Sequence, residues 1–444
     1  MKKILVLGAG LSSSYLINYL LNHAQPENWH VTVADANLAV ARQKINNHPI
    51  ATAIELNITN DSARGKTIAE HDLVISLLPP TMHVLAARDC ISYKKHMVTA
   101  SYISEEMNQL DAAAKEAGIL LLNECGLDPG IDHLSALKII HEIEQRGGTV
   151  TSFKSFCGGL VAPEYDDNPW NYKFTWNPRN VVLAGQATAK YLEDGTLKFI
   201  PAAHIFEQTE SVSIAGYGEF ESYANRDSLG YIEPYGITKA HTVLRGTLRK
   251  KGFSDAWNLL VKLGLTDDSF TIHQADKLTL REWVNAFVPG TDITKLESRI
   301  CQYLTIEATS ESFQKLQWLG ILSDVKITLT EATPAQILQQ VLQHKWKLNA
   351  GELDMIVMKH QIDLRIENAD LRIESELVVK GEDEVLTAMA KTVGLPMAIA
   401  AKLILQNKIQ SRGVHMPILP EFYNPILAEL ENFGVRFVET ETIL

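Results

Sequence analysis

An α/β fold with a doubly wound parallel sheet of the Rossmann type is what residues 1–130 predict. Three observations carry this expectation. Short apolar runs alternate with helical patterns, the first run "KILVLGAG" ends on two glycines, and Asp35 closes the next run. Strands alternating with helices imply a parallel sheet covered on both faces.

Taken in order, "KILVLGAG" is a buried strand entering a tight turn, and "SYLINYLLNHA" shows helical spacing in Leu16, Leu20 and Leu21. "HVTVADA", "DLVISLLP", "HMVTASY" and "GILLLNE" read as further strands. "SEEMNQLDAAAKEAG" is expected to be one helix, with Ser104 as N-cap and Gly118 at its C-terminal end. Further along, "QIDLRIENADLRIESELVV" is a hairpin: Ile362, Leu364 and Ile366 alternate, and Leu371 and Ile373 follow a polar turn at Asn368 and Asp370. There is no internal repeat and no low-complexity linker.

The glycines gain meaning from this setting. "GAGLSS" follows the dinucleotide fingerprint G-x-G-x-x-G at Gly8 and Gly10, with Ser13 in place of the third glycine. The first glycine permits the turn, the second admits the pyrophosphate close to the backbone, and the helix N-terminus meets its charge. Asp35, at the end of the second strand, is placed to accept hydrogen bonds from both ribose hydroxyls and to repel a 2′-phosphate, so NAD is expected over NADP. Ligands of such sheets bind outside the carboxyl ends of the strands. That puts Leu77, Pro79, Thr99, Ala100, Ser101, Gly126 and Asp128 toward the nicotinamide end, and makes "NECGLDPGID" a candidate reactant-holding loop. Within it Cys125 reads as a small buried filler, His133 as structural, and Glu124 and Asp132 as caps or solvated turn residues.

Composition excludes other classes. A formal charge of −12 argues against nucleic acid or an anionic membrane as partner. The four cysteines form no CxxC pair and the histidines no metal-spaced cluster, so neither a metal site nor a disulfide framework is expected, and a reducing cytoplasm fits best. Lys2 and Lys3 before "ILVLGAGL" imitate a signal peptide, but Gly8, Gly10 and Ser12 to Ser14 interrupt the apolar stretch and no A-x-A site follows. No run is expected to reach membrane-spanning length.

In their order, "DLVISLLP", "MVTASYI", "GLDPGIDH", "CGGLVAPE", "NPWNYKFTW", "NRDS" and "LRGTLRKKGF" resemble the saccharopine dehydrogenases, closest to the glutamate-forming type, and "TAMAKTVGLPMAIAAKLIL" extends the likeness toward the C-terminus. The resemblance implies NAD(P)-dependent oxidation of L-saccharopine to L-glutamate and 2-aminoadipate 6-semialdehyde in lysine metabolism. It also implies a substrate and dimerisation α/β domain over 131–252 and 346–384 and a mostly helical insertion over 253–345. A helix near 385–410 is expected to return onto the dinucleotide domain of residues 1–130, and the chain is expected to form a homodimer.

Residue by residue, the resemblance puts Gly8, Gly10, Leu11, Thr99, Ala100, Gly126, Leu127 and Trp176 at cofactor-binding positions, beside Asp35 and Leu77 from the strand ends and Asn57 as further cofactor-binding candidates. It puts Ser101, Asp128, Arg226, Thr247, Leu248 and Arg249 at substrate-binding ones, with Arg245 either assisting them or only supporting the loop. Arginines suit a substrate with three carboxylates, because a guanidinium grips a carboxylate with two parallel hydrogen bonds. Asp128 is the candidate catalytic carboxylate, as general base or as anchor of the substrate ammonium. Pro80, Val161, Leu229, Gly230 and Lys250 depart from the family pattern and bear on the substrate more than on the reaction. The alternatives are a sister enzyme acting on another carboxylated secondary amine (carboxynorspermidine dehydrogenase or homospermidine synthase type), a non-catalytic dinucleotide and amino-acid sensor, or an interaction module.

Overall fold

The computed structural model describes residues 1–444, which fall into two compact units. The first comprises Met1–Thr149, Leu377–Thr440 and the short stretch Ile366–Ala369. Its strands are β1 (Lys2–Leu7), β2 (Trp29–Asp35), β3 (Ala51–Glu55), β4 (Leu73–Ser76), β5 (His96–Thr99) and β6 (Leu120–Leu122). With Gly413–His415 they form a seven-stranded sheet in the order Gly413–His415, β6, β5, β4, β1, β2, β3, every pairing parallel. Ile4 to Leu7, Leu73 to Ser76 and Leu120 to Leu122 are buried throughout, because a parallel sheet is covered on both faces. The chain moves outward from β1 in one direction through β2 and β3, and in the other through β4 to β6. The topological switch point therefore lies between β1 and β4.

The structure departs from the sequence reading in several places. The segment "SEEMNQLDAAAKEAG" is two helices, Glu105–Asn108 and Asp111–Ala117, parted by a tight turn in which the Leu110 N–H reaches back three residues to Met107 O. Its ends are as read: Ser104 Oγ accepts the Met107 N–H, and Gly118 takes the left-handed conformation. The chain divides at Thr149 rather than at 130, because the Ile131–Gln145 helix packs within the first unit, His141 Nδ1 lying 2.9 Å from Tyr423 Oη.

The helix Ala388–Leu405 also packs in this unit, against Ser14–Ala24. Gly394 allows that approach, since a Cβ there would sit 3.0 Å from Leu16 N. By length and hydropathy this helix is able to span a membrane, against the expectation that no run would. Its most apolar 18-residue window is 83% buried, which makes it a core helix of the unit.

The second unit comprises Val150–Arg365, Asp370–Glu376 and Glu441–Leu444. Its mixed sheet runs Thr209–Ile214, Gly218–Ala224, Thr242–Lys250, Thr149–Val161, Asp354–Ile366 and Ala369–Lys380, with antiparallel and parallel pairings together. Between residues 253 and 345 lie five helices, Phe253–Lys262, Leu280–Asn285, Leu296–Leu304, Glu311–Trp318 and Pro334–Lys345. An aromatic cluster of Trp170, Tyr172, Phe253, Trp257 and Trp346 fills the space beside the sheet, with ring centroids 5.1–6.3 Å apart.

Candidate functional site

In the first unit the expected residues gather at the carboxyl ends of the strands. The β1 turn is backbone-determined. Gly8 has φ +96°, and a Cβ on it would lie 3.0 Å from Leu77 O, so neither the conformation nor the space admits another residue. Gly10 is different: a Cβ there meets nothing within 4 Å. Its open side faces solvent beside the start of the Leu11–Ser13 turn and the following helix, the place where a diphosphate needs close backbone approach. Ser13 closes the turn with its hydroxyl on Gly10 O at 2.7 Å, replacing the third glycine by a local hydrogen bond. The turn thus fits a dinucleotide phosphate. Gly10→Val is expected to leave the melting temperature unchanged and to weaken dinucleotide binding at least about tenfold, measured by fluorescence titration with NADPH; equal affinity removes this turn from the site.

Asp35 sits at the end of β2, as expected, but its carboxylate is engaged by the protein. Oδ2 accepts the Ala9 N–H and Oδ1 the Asn37 N–H, both at 2.8 Å. Asp35 holds the glycine turn in shape. Asn57 is exposed past β3, its Oδ1 accepting the Thr59 N–H at 3.0 Å, and Leu77 continues β4 through its N–H to Leu7 O at 2.8 Å.

The segments after β5 and β6 are tied together. Cys125 N–H bonds Thr99 O at 3.1 Å and Glu124 N–H bonds Ser101 O at 3.0 Å. Gly126 lies so near Ala100 that a Cβ on it would be 2.7 Å from the alanine methyl. The loop then folds on itself: Gly126 N–H to Pro129 O at 2.9 Å, Ile131 N–H to Gly126 O at 2.8 Å, Asp132 N–H to Leu127 O at 3.1 Å. Gly130, at φ +148°, has no room for a side chain against Gly126. Leu127 is buried and Asp128, half-buried, stands on the bend, with Tyr102 Oη 3.4 Å from its Oδ1. "NECGLDPGID" is therefore a rigid, backbone-bonded projection.

Its flanks bear on the sequence reading of Glu124 and Asp132 as caps or solvated residues: Asp132 does act at the start of the Ile131–Gln145 helix, but neither residue is solvated. Both are buried. Glu124 Oε2 is 2.9 Å from His133 Nε2, and its Oε1 accepts the Ile103 N–H; Asp132 Oδ1 accepts the Gly130 N–H. Cys125 is fully buried with its thiol pKa pushed up by desolvation, so it is no nucleophile at neutral pH.

Sequence reasoning missed His83. It is 3% exposed at the start of the His83–Ser92 helix, and its ring joins Ser76 Oγ (2.8 Å from Nδ1) to Ser101 Oγ (2.7 Å from Nε2). The available signal was a histidine seven residues beyond the end of a buried strand, which single-sequence patterns cannot aim. Burial pushes its pKa down to about 4 from 6.5. Because the folded value lies below the unfolded one, the folded state binds fewer protons. Stability from this group is complete above pH 6.5 and declines as pH falls toward 4, by up to about 3 kcal/mol. Urea unfolding across this pH range is expected to show a smaller decline in His83→Gln; parallel curves refute it.

The second unit carries the basic set. Arg245, Thr247 and Arg249 share one face of Thr242–Lys250 by the two-residue period, and Leu248, fully buried, points to the other. Arg245 Nη1 donates to Tyr231 Oη at 2.5 Å, with its guanidinium 4.3 Å from that ring centroid. Arg249 is 3% exposed, stacked 5.0 Å from Tyr172, 5.3 Å from Phe253 and 5.8 Å from Tyr223. No carboxylate pairs with it. One N–H donates to Leu248 O at 2.9 Å, and its buried Nε has no acceptor. A guanidinium left this way among aromatic rings is expensive to bury, and an arriving carboxylate supplies what it lacks. Trp176 adjoins the cluster, its indole N–H 3.4 Å from Tyr172 Oη. Arg226 does not join it: it is exposed, two residues past Gly218–Ala224, in the left-handed conformation at φ +49°.

Comparison with known proteins gives the family. Residues 4–122 match the family model described as the saccharopine dehydrogenase NADP binding domain, and residues 126–435 the saccharopine dehydrogenase C-terminal domain. The chain is 37% identical over 448 residues to the saccharopine dehydrogenase [NADP(+), L-glutamate-forming] of Saccharomyces cerevisiae, covering 99% of each. It is also 37% identical over 453 residues to the mitochondrial alpha-aminoadipic semialdehyde synthase of Bos taurus; that match takes in all of this chain and 48% of the bovine protein, about half its length. The apo structure of the L-Glu-forming saccharopine dehydrogenase from Saccharomyces cerevisiae superposes with a TM-score of 0.90 at 34% identity, covering 100% of both chains. These findings correct the cofactor expectation. The yeast relative is named for NADP(+) and the N-terminal match is to an NADP binding domain, so NAD is not favoured. In the turn, Asp35 accepts one backbone N–H on each carboxylate oxygen, so part of its role is to hold the glycine turn in shape.

Proposed function

Because the chain belongs to the saccharopine dehydrogenase family, we propose that it oxidises L-saccharopine with NADP, releasing L-glutamate and 2-aminoadipate 6-semialdehyde, a step of lysine metabolism. The observation that carries this reading is Arg249, a buried guanidinium without an acidic partner, matched to a substrate bearing three carboxylates.

The bound dinucleotide supplies the hydride acceptor. The chain's own residues do the rest. Arg249 fixes a substrate carboxylate, and its aromatic surround lowers the local dielectric and strengthens that pair. Asp128, on its rigid bend, takes the proton from the protonated secondary amine so that the freed nitrogen lone pair assists departure of hydride from the adjacent carbon, and water then adds to the resulting C=N bond to release the amine of L-glutamate and the aldehyde. The backbone bonds of residues 124–132 keep that carboxylate in place without reorganisation during the reaction.

Steady-state oxidation of L-saccharopine with NADP and with NAD, compared side by side, tests the reading. Turnover with the larger kcat/KM for NADP is expected. Failure with saccharopine alongside turnover of a carboxylated polyamine would assign the chain to the sister enzymes instead.

A further inference from the structure

The carboxyl ends of β4 and β5 converge on one imidazole. His83 Nδ1 lies 2.8 Å from Ser76 Oγ and 3.4 Å from Thr99 Oγ1, and Nε2 lies 2.7 Å from Ser101 Oγ. Ser76 is fully buried and Thr99 is 1% exposed, so their hydroxyl hydrogens must find acceptors inside the protein. The Ser76 hydroxyl has Nδ1 as its partner. Thr99 Oγ1 accepts the Ser101 N–H at 3.3 Å and stands 3.4 Å from the same ring nitrogen. The buried Ser76 hydroxyl is satisfied by a bare Nδ1, whose single lone pair it takes at 2.8 Å.

A neutral imidazole carries one hydrogen. Burial keeps this ring neutral, with its pKa at about 4, so the hydrogen resides on Nε2 and is donated to Ser101 Oγ. The Ser101 hydroxyl hydrogen is thereby directed away from the ring, and the residue is half-buried.

We propose that His83 is a positioning residue that fixes Ser101 as a hydrogen-bond donor toward an anionic oxygen, a carboxylate of the substrate. The hydrogen-bond order runs from the Ser76 hydroxyl to Nδ1, from Nε2 to Ser101 Oγ, and from the Ser101 hydroxyl to the substrate. His83 gives preference for a carboxylated amine without touching it. This rests on the function proposed above, through Ser101 as a substrate contact.

Two replacements separate the ends of the ring. The amide of His83→Asn reaches the Nδ1 position and keeps Ser76; that of His83→Gln reaches the Nε2 position and keeps Ser101. His83→Asn and Ser101→Ala are each expected to raise the saccharopine KM about tenfold, with kcat and the NADPH dissociation constant within about twofold. His83→Gln restores KM to within about threefold of wild type, and the double variant is no worse than Ser101→Ala alone. Multiplying defects in the double variant, or loss confined to NADPH binding, overturns the proposal.

Nitrogen-15 shifts of the His83 ring, assigned by their disappearance in His83→Gln, read the tautomer in the wild-type protein. A ring protonated on Nδ1 overturns the proposal whatever the substrate. If instead the ring is protonated on Nε2 and saccharopine is not oxidised, the function is refuted and the hydrogen-bond order is upheld.

Discussion

Asp128→Asn is expected to lower kcat/KM for saccharopine by about 10²–10⁴-fold, the range of a positioned general base. The substitution keeps shape and removes charge. The loop's form rests on the backbone bonds of Gly126, Leu127, Ile131 and Asp132, none of which uses the Asp128 carboxylate, so the fold and NADPH affinity are expected to persist. The pH profile decides the role. A base loses its acidic limb on substitution, whereas an anchor for the substrate ammonium raises KM and retains the limb. Near-normal turnover reduces "NECGLDPGID" to a well-made turn.

The second large effect belongs to Arg249. Arg249→Met keeps the length and apolar packing of the side chain within the Tyr172, Tyr223 and Phe253 rings. Loss of one partner of a desolvated charge pair costs about 2–5 kcal/mol, so the saccharopine KM is expected to rise between about thirtyfold and several thousandfold. Unfolding moves in the opposite sense. Removing a buried cation that has no anion in the unliganded protein leaves the melting temperature equal or higher. Activity lost together with stability shows that Arg249 serves the fold instead. Arg226→Ala, at an exposed position, is expected to give a smaller change in KM than Arg249→Met.

The first unit was largely legible because its signals are local. Apolar runs ending in Gly8 and Gly10, at Ser76 and at Leu122 mark strands whose period and punctuation lie within a few residues. Strand "ATAIE" escaped notice because Ala51, Ile54 and their neighbours are only partly buried and form no apolar run. Gly413–His415 escaped because three residues carry no period; β6 recruits them. In the candidate site, Gly8, Asp128 and Arg249 were read from motifs. What their motifs lacked was partnership: that Asp35 is bonded to Ala9 and Asn37, that Glu124 meets His133, and that Ser101 meets His83. Such pairings join separate strand ends, and no spacing along the chain encodes them. The NAD expectation rested on Asp35, and the NADP for which the relative and the matched domain are named overturns it.

The unit that carries the glycine turn is assembled from segments far apart in sequence: Gly413–His415 completes the sheet beside β6, and Ala388–Leu405 packs on Ser14–Ala24. A ribosome delivers these segments well after the six leading strands. Until they emerge, the β6 edge and the apolar side of the first helix stay open to passing strands and to chaperones, although all six leading strands have already been made. The nascent chain is thus expected to become protease-resistant late and in a single step, and a fragment ending at Thr149 is expected to aggregate rather than bind NADPH. Truncated transcripts translated in vitro and pulsed with protease at increasing length display that schedule directly.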